Sequence, residues 1–246
     1  MTNSFFQFLP EILSITTLIF CFVTILGAVK FFGKNGLYAY STVAAITSNI
    51  QVLKLTQYSI VSDPIALGTV LFSTTFAVDN IITEYYGAEY AKKGLYISFF
   101  GYLFFVIVMQ IAVLHPVVLQ TDCVNLHTEL KKIFSLAPYL FLSSLAAYFC
   151  GQRTDIFIYA NLKKIFKTKY IAGRSMFSMA VSAFVDNCVF SVLAWIVFAE
   201  NPISISDLWK TYICVTYIIR LVVTALCVPV VKLARRFISK NSFKGY

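Results

Sequence analysis

The sequence predicts an all-α integral membrane protein, a bundle of about seven transmembrane helices, and three observations carry that prediction. Of 246 residues, 59% are hydrophobic and only 13% charged, with a mean hydropathy of +0.78; a soluble domain is nearer half apolar and a quarter charged. The apolar residues come in stretches of about 20, the length that crosses a hydrocarbon core of about 30 Å. The basic residues sit in short clusters between those stretches, as in loops of a membrane protein.

The spans are expected at about 11–32, 36–57, 65–84, 94–115, 138–160, 174–198 and 208–232, in one transmembrane domain over residues 1–246. Helix-ending residues separate them: Gly33 to Gly36, Asp63-Pro64, Gly87, His115-Pro116, Lys163 to Lys169 and Asn201-Pro202. No Lys or Arg precedes Lys30, and the first apolar stretch exceeds a signal-peptide core, so it is expected to be retained as a span. Between spans four and five, Leu126 to Leu136 suits a short interfacial helix, with Leu130, Ile133 and Phe134 on one face. The basic tail after Lys232 suits a stop-transfer anchor against anionic lipid.

Orientation follows from the 20 basic residues. Fourteen fall on one side of the seven-span arrangement, from Lys30 and Lys34 through Lys92, Lys93, the Lys163–Arg174 group and the C-terminal cluster; three, Lys131, Lys132 and Lys210, fall on the other. The positive-inside rule then puts the N-terminus outside and the C-terminus in the cytoplasm of a multi-pass protein of the cell inner membrane. The net charge of +9 does not form a single stripe, so a nucleic-acid partner is not expected. The six cysteines show no C-x-x-C or Cys/His spacing, and five lie in apolar segments, where they read as small packing residues. No Walker A loop, metal-ligand set, G-x-S-x-G or H-E-x-x-H occurs. No cofactor, metal or enzymatic activity is expected.

Function is sought in the residues that lipid rejects. A charge at mid-bilayer costs on the order of 3 kcal/mol even on lenient scales, so such groups turn to the bundle interior. Span two carries Asn49, Gln51 and Lys54; span three Asp79, Asn80 and Glu84; span five Gln152, Arg153 and Asp155; span six Asp186 and Asn187; span seven Arg220. At about 1.5 Å per residue, Asp79 and Asp155 lie roughly 20 to 25 Å from the outer surface and Asp186 near the midplane, so one interior cluster is expected to hold them all. The competing reading is that Asp and Arg neutralise each other and only specify packing. Lys54 and Glu84 lie near span ends, where snorkelling is an equal alternative. Ala77-Val78-Asp79-Asn80-Ile81 also echoes Phe184-Val185-Asp186-Asn187-Cys188, as the middle helices of an inverted three-plus-three repeat after the first helix would.

Several longer motifs stand out: "FFGKNGLYAY", "SNIQVLK", "GTVLFSTTFAVDNIITEYYGAEYAKKG", "AAYFCGQRTDIFIYANLKK" and "VSAFVDNCVFSVLAW". On the N-I-Q-x-x-K, E-Y-Y-G and G-Q-x-x-D elements the chain resembles the queuosine precursor transporter family, also called the vitamin uptake transporter family, over nearly its whole length after span one. The resemblance implies six or seven spans and uptake of a deazapurine precursor of queuosine, such as preQ0, preQ1 or queuine, for tRNA modification. It puts Asn49, Gln51, Lys54, Asn80, Glu84, Gln152, Asp155, Arg174 and Asp186 on family motif positions. The chain departs from the pattern at Asp79-Asn80, where the family usually reads Thr-Asp, at Thr69 after Gly68, and at Ser175, Met179 and Ala183.

The expected protein is therefore an importer of a deazapurine. Its substrate site is expected from Asp79, Asn80, Gln152, Asp155, Asp186, Asn49, Gln51 and Arg220, with Lys54, Glu84, Arg153, Arg174 and Asn187 in gating or secondary roles. A guanine-like edge offers paired N–H donors that a carboxylate accepts and a carbonyl that Asn, Gln or Arg donates to. The alternative machine is a membrane substrate-binding subunit that needs a separate ATPase module. Homo-oligomerisation is left open by the sequence.

Overall fold

A computed structural model describes residues 8–59, 65–118, 121–135, 138–199 and 201–238. The chain forms a bundle of long helices. The first, α1 (Leu9–Gln51), has 43 residues, about 65 Å at helical rise and twice what one crossing needs. It breaks at Gly33, whose φ of 59° and ψ of −138° suit glycine best, so α1 comprises two limbs that correspond to the first two expected spans. The second limb stops at Gln51, short of the expected residue 57. A two-residue antiparallel ladder, β1 (Leu55–Thr56) with β2 (Ile65–Ala66), takes over and carries the chain back into the bundle. The expected break at Asp63-Pro64 lies outside the described residues.

Next come α2 (Gly68–Tyr85), α3 (Ala88–Leu114), the short amphipathic α4 (Thr121–Ser135) and α5 (Pro138–Phe166). The last two are α6 (Ile171–Val197) and α7 (Ile205–Arg236). Among the described residues four helices, α1, α3, α6 and α7, are long and apolar enough to cross a membrane by themselves; α4 and α5 together form a fifth candidate, bent by 43° between them. A helix is thus present where Leu126 to Leu136 suggested one, starting earlier, with Phe134 edge-on to Phe105 of α3 and stacked on Phe141 of α5.

Helix α2 stands apart. All 18 of its residues are buried, enclosed by α1, α3, α5, α6 and α7. Its solvent is protein, which is why it tolerates Thr69, Ser73, Thr74, Thr75, Asp79, Asn80, Thr83 and Glu84. Outward, the opposite holds: Phe20, Phe31, Phe32, Phe100, Phe104 and Phe157 are each more than 60% exposed, an apolar girdle fit for lipid.

Glycines set the close approaches. A Cβ on Gly68 would lie 2.2 Å from the Ser48 carbonyl oxygen, so α2 starts against the end of α1. A Cβ on Gly151 would lie 2.8 Å from Asp186 Cβ, and this contact brings α5 onto α6, the most extensive helix pair in the fold. Two π-helical segments, Leu193–Val197 ending α6 and Leu208–Cys214 near the start of α7, face each other at one end of the bundle. Lys34 after the break in α1, Lys92 and Lys93 early in α3, and Lys163 to Lys169 at and beyond the end of α5 gather at the other, the basic end.

Candidate functional site

At the end opposite the basic loops a cavity of about 440 Å³ opens between α1, α2, α5, α6 and α7. Asn49 and Ser48 reach it from α1, Thr69 and Phe72 from α2, Ser144 from α5, and Asp186, Asn187 and Trp195 from α6; Tyr212 and Arg220 come from α7. Helix periodicity explains the α6 set: Asp186, Asn187, Phe190 and Ser191 recur on one face. The π segments add what periodicity does not foretell. Their wide turns carry Trp195 and Tyr212 into the cavity mouth, with ring centroids 5.0 Å apart and planes inclined at 41°.

An ion pair forms one wall of the cavity. Arg220 donates from Nη1 to Asp186 Oδ2 and to the Ala183 carbonyl, and its guanidinium lies 5.1 Å from the Phe72 ring centre. Both residues are largely buried, at 8% and 3% exposure, yet Asp186 Oδ1 and Arg220 Nε lack partners. The pair therefore keeps one acceptor and one donor uncommitted. Asn49 accepts from Ser144 Oγ and donates to the Ala45 carbonyl, while Asn187 donates to the Ile213 carbonyl, which ties α6 to the π segment of α7.

Beneath the cavity, towards the basic end, the remaining candidates form tiers along α2, α5 and α6. Gln152 donates to Thr75 Oγ1 at 2.5 Å. Below it Asp79 and Asp155 approach one another, and Ser178 and Ser182 of α6 face Asp155. Asn80 and Ser178 exchange bonds of 3.2 and 3.3 Å. The last tier closes the basic end. Arg174 Nη2 lies 3.1 Å from each oxygen of Glu84, Tyr159 donates to Glu84 Oε2 at 3.0 Å, and the Arg174 guanidinium stacks 5.3 Å from the Tyr159 ring centre. Arg174 Nη1 also donates to the Lys167 carbonyl, and Lys163 donates to the carbonyls of Thr83 and Glu84.

The single cluster expected from depth is thus two groups. Asn49, Asp186, Asn187 and Arg220 line the cavity; Asp79, Asn80, Gln152 and Asp155 lie in the tiers below it and are not part of its lining. Mutual neutralisation, the competing reading, describes the geometry of Glu84–Arg174 and Asp186–Arg220. It does not describe Asp79 and Asp155, which have no ion-pair partner among the described residues. Glu84 does not snorkel; it is 9% exposed and locked to Arg174.

Arg153 does not belong inside. It projects from the exposed face of α5 towards Tyr96 and shares a shallow groove with Glu89, Lys92 and Lys93, because position 153 lies about 200° around the helix from Asp155. Lys54 is exposed in the turn after α1, and Gln51, at the helix end, is only half-buried and does not line the cavity. The two Val-Asp-Asn elements also differ in surroundings, one enclosed beside Asp155 and the other ion-paired at the cavity.

The chain is 28% identical over 222 residues to the protein of Bacillus subtilis (strain 168) named "Probable queuosine precursor transporter", covering 89% of this chain and 92% of that one. No solved structure matches. Residues 66–234, which span both the cavity and the tiers beneath it, match the family described as "Putative vitamin uptake transporter". A multi-pass helical bundle with a polar interior and a match over more than half its length make this chain a member of that transporter family.

Proposed function

We propose that the protein imports a queuosine precursor, a 7-deazapurine base, across the cell inner membrane, and that this structure is its outward-facing form. The cavity opens at the end predicted to lie outside, while the Glu84–Arg174–Tyr159 lock closes the basic, cytoplasmic end. Alternating access then means closing the π-helical mouth and parting α2, α5 and α6 at the lock.

One observation carries the substrate class. A carboxylate, Asp186, and a guanidinium, Arg220, line the same cavity as Phe72, Trp195 and Tyr212. A guanine-like edge has the complementary N–H donors and carbonyl, and a flat bicyclic ring suits the aromatic walls. A volume of about 440 Å³ is in the range of small-molecule sites. The relative's name points to the same class. Asp186, Arg220 and Asn49 form the substrate site in this reading, with Asn187 bracing it. Asp79, Asn80, Gln152 and Asp155 serve the pathway below, and the lipid bilayer is the surrounding partner.

The test is uptake of radiolabelled preQ0, preQ1 and queuine in cells that lack their own transporter and synthesis pathway. Wild-type chain restores uptake of at least one, and Asp186→Asn, inserted at equal level, does not. Uptake by Asp186→Asn equal to wild type refutes the site. Transport by purified protein in liposomes without ATP excludes the need for an ATPase module.

A further inference from the structure

Four carboxylates are buried among the described residues, and only two have a cation. Glu84 has Arg174 and Asp186 has Arg220. Asp79 of α2 and Asp155 of α5, 4% and 0% exposed, have each other. The groups turned towards them are neutral. Tyr38 of α1 and Tyr148 of α5 face Asp79, Ser98 of α3 sits beside Tyr148, and Ser178 and Ser182 of α6 face Asp155. The buried cations of α6 and α7, Arg174 and Arg220, are bound to Glu84 and Asp186.

The pair is also short of hydrogen bonds. Both oxygens of Asp155 and Oδ2 of Asp79 have no partner at bonding geometry, although the Ser178 and Ser182 hydroxyls lie close enough to Asp155 to act on it. Nor have Ser182 Oγ, in a residue turned towards Asp155, or Oε1 of Gln152, which shares a face of α5 with Asp155 one turn away. Both of those residues are fully buried. Two bare carboxylates cannot share such a site, because each charge is desolvated and repels the other. A proton on one of the two carboxyls resolves it, as in paired-carboxylate sites elsewhere.

We infer that the Asp79–Asp155 pair is the coupling-ion site of this transporter, binding an exchangeable proton that enters from the cavity and leaves at the basic end, so that a proton gradient drives substrate entry. The inference rests on the transporter reading above. Its position suits the role. The pair lies on two of the three helices that must part, α2 and α5, below the cavity and above the Glu84–Arg174 lock. Along α6, Ser175, Ser178 and Ser182 run between Arg174 and Asp186 at spacings of three and four residues, all fully buried. The pair with one proton carries a single negative charge; a second makes it neutral, and that second proton is the one moved. No bond to carbon changes and no electron is transferred.

The purified full chain is reconstituted in liposomes with a trapped pH dye and labelled preQ1. An inward gradient of one pH unit gives about ten-fold accumulation for one proton per substrate, with acidification of the lumen on substrate addition. Asp79→Asn and Asp155→Asn lose accumulation and acidification but still exchange internal for external substrate at a measurable rate. Exchange by the wild type without any pH-driven accumulation, or accumulation that follows sodium instead, overturns the inference and leaves the substrate reading intact. No exchange by the wild type of preQ1, nor of preQ0 or queuine in its place, refutes the substrate reading. Infrared spectroscopy of the wild-type protein then decides the proton site alone, since it needs no substrate. A protonated-carboxyl stretch that shifts in D2O and disappears in both variants is expected; its absence overturns the inference.

Discussion

Glutamate 84 gives the sharpest test of the closed basic end. Among the described residues its carboxylate is the only acidic partner of Arg174, which is 2% exposed and among the largest fully buried side chains described. In Glu84→Gln the volume and one acceptor remain, but the guanidinium is left charged in a site without water. Removing one member of a buried ion pair costs about 3 to 5 kcal/mol. That cost exists only while the lock is closed, because opening hydrates Arg174. The substitution therefore shifts the closed-to-open ratio by the whole penalty, about 150-fold for 3 kcal/mol. Ser178, fully buried behind the lock, reports it. In inside-out vesicles, Ser178→Cys is expected to react slowly with a membrane-impermeant maleimide, and Ser178→Cys/Glu84→Gln faster by one to two orders of magnitude over the background of native cysteines. Adding Arg174→Met removes the stranded charge and returns the rate towards the slow value. Equal labelling with and without Glu84→Gln would mean that the pair does not hold the end shut.

Three further outcomes follow from the same geometry. Arg220→Met strands Asp186 and lowers the thermal midpoint in detergent, by an amount corresponding to about 3 kcal/mol; Asp186→Leu/Arg220→Met recovers the midpoint without recovering uptake, and a single variant as stable as wild type contradicts the pairing. Trp195→Ala and Tyr212→Ala raise the KM for uptake several-fold with little change in protein level, because they line the mouth as a ring pair; unchanged KM in both removes them from the site. Gly151→Leu forces α5 away from α6 at Asp186 and costs about 1 to 3 kcal/mol of stability, read by thermal unfolding, whereas a neutral result would show that the contact yields freely.

The class of the molecule was legible because a bilayer imposes it on composition, and the inward residues were legible because lipid rejects them. The division into two groups was not. Depth along the membrane normal places Asp79, Asp155 and Asp186 within a few turns of one another, but one ion pair and one pair of rings decide which of them meets the cavity. Arg153 shows the limit of residue type as a guide: it is as polar as Gln152 and Asp155, yet those two share a face at a spacing of three while 153 lies across the helix. Helical spacing alone contained that signal. It also contained the row of Ser175, Ser178 and Ser182, which single residues do not announce. The π segments had no signal in the apolar pattern, since their extra residue per turn arises from packing at the helix ends, and with them Trp195 and Tyr212 stayed hidden.

The enclosure of α2 has a consequence for how the chain is made. A translocon judges emerging segments one at a time by their partition into lipid, and an 18-residue helix bearing Asp79, Asn80 and Glu84 partitions poorly. The later helices that shelter it, α5 to α7, have not yet been synthesised at that moment. Residence of α2 across the membrane is thus a property of the assembled bundle, and biogenesis must hold the segment at the lipid boundary until its neighbours arrive.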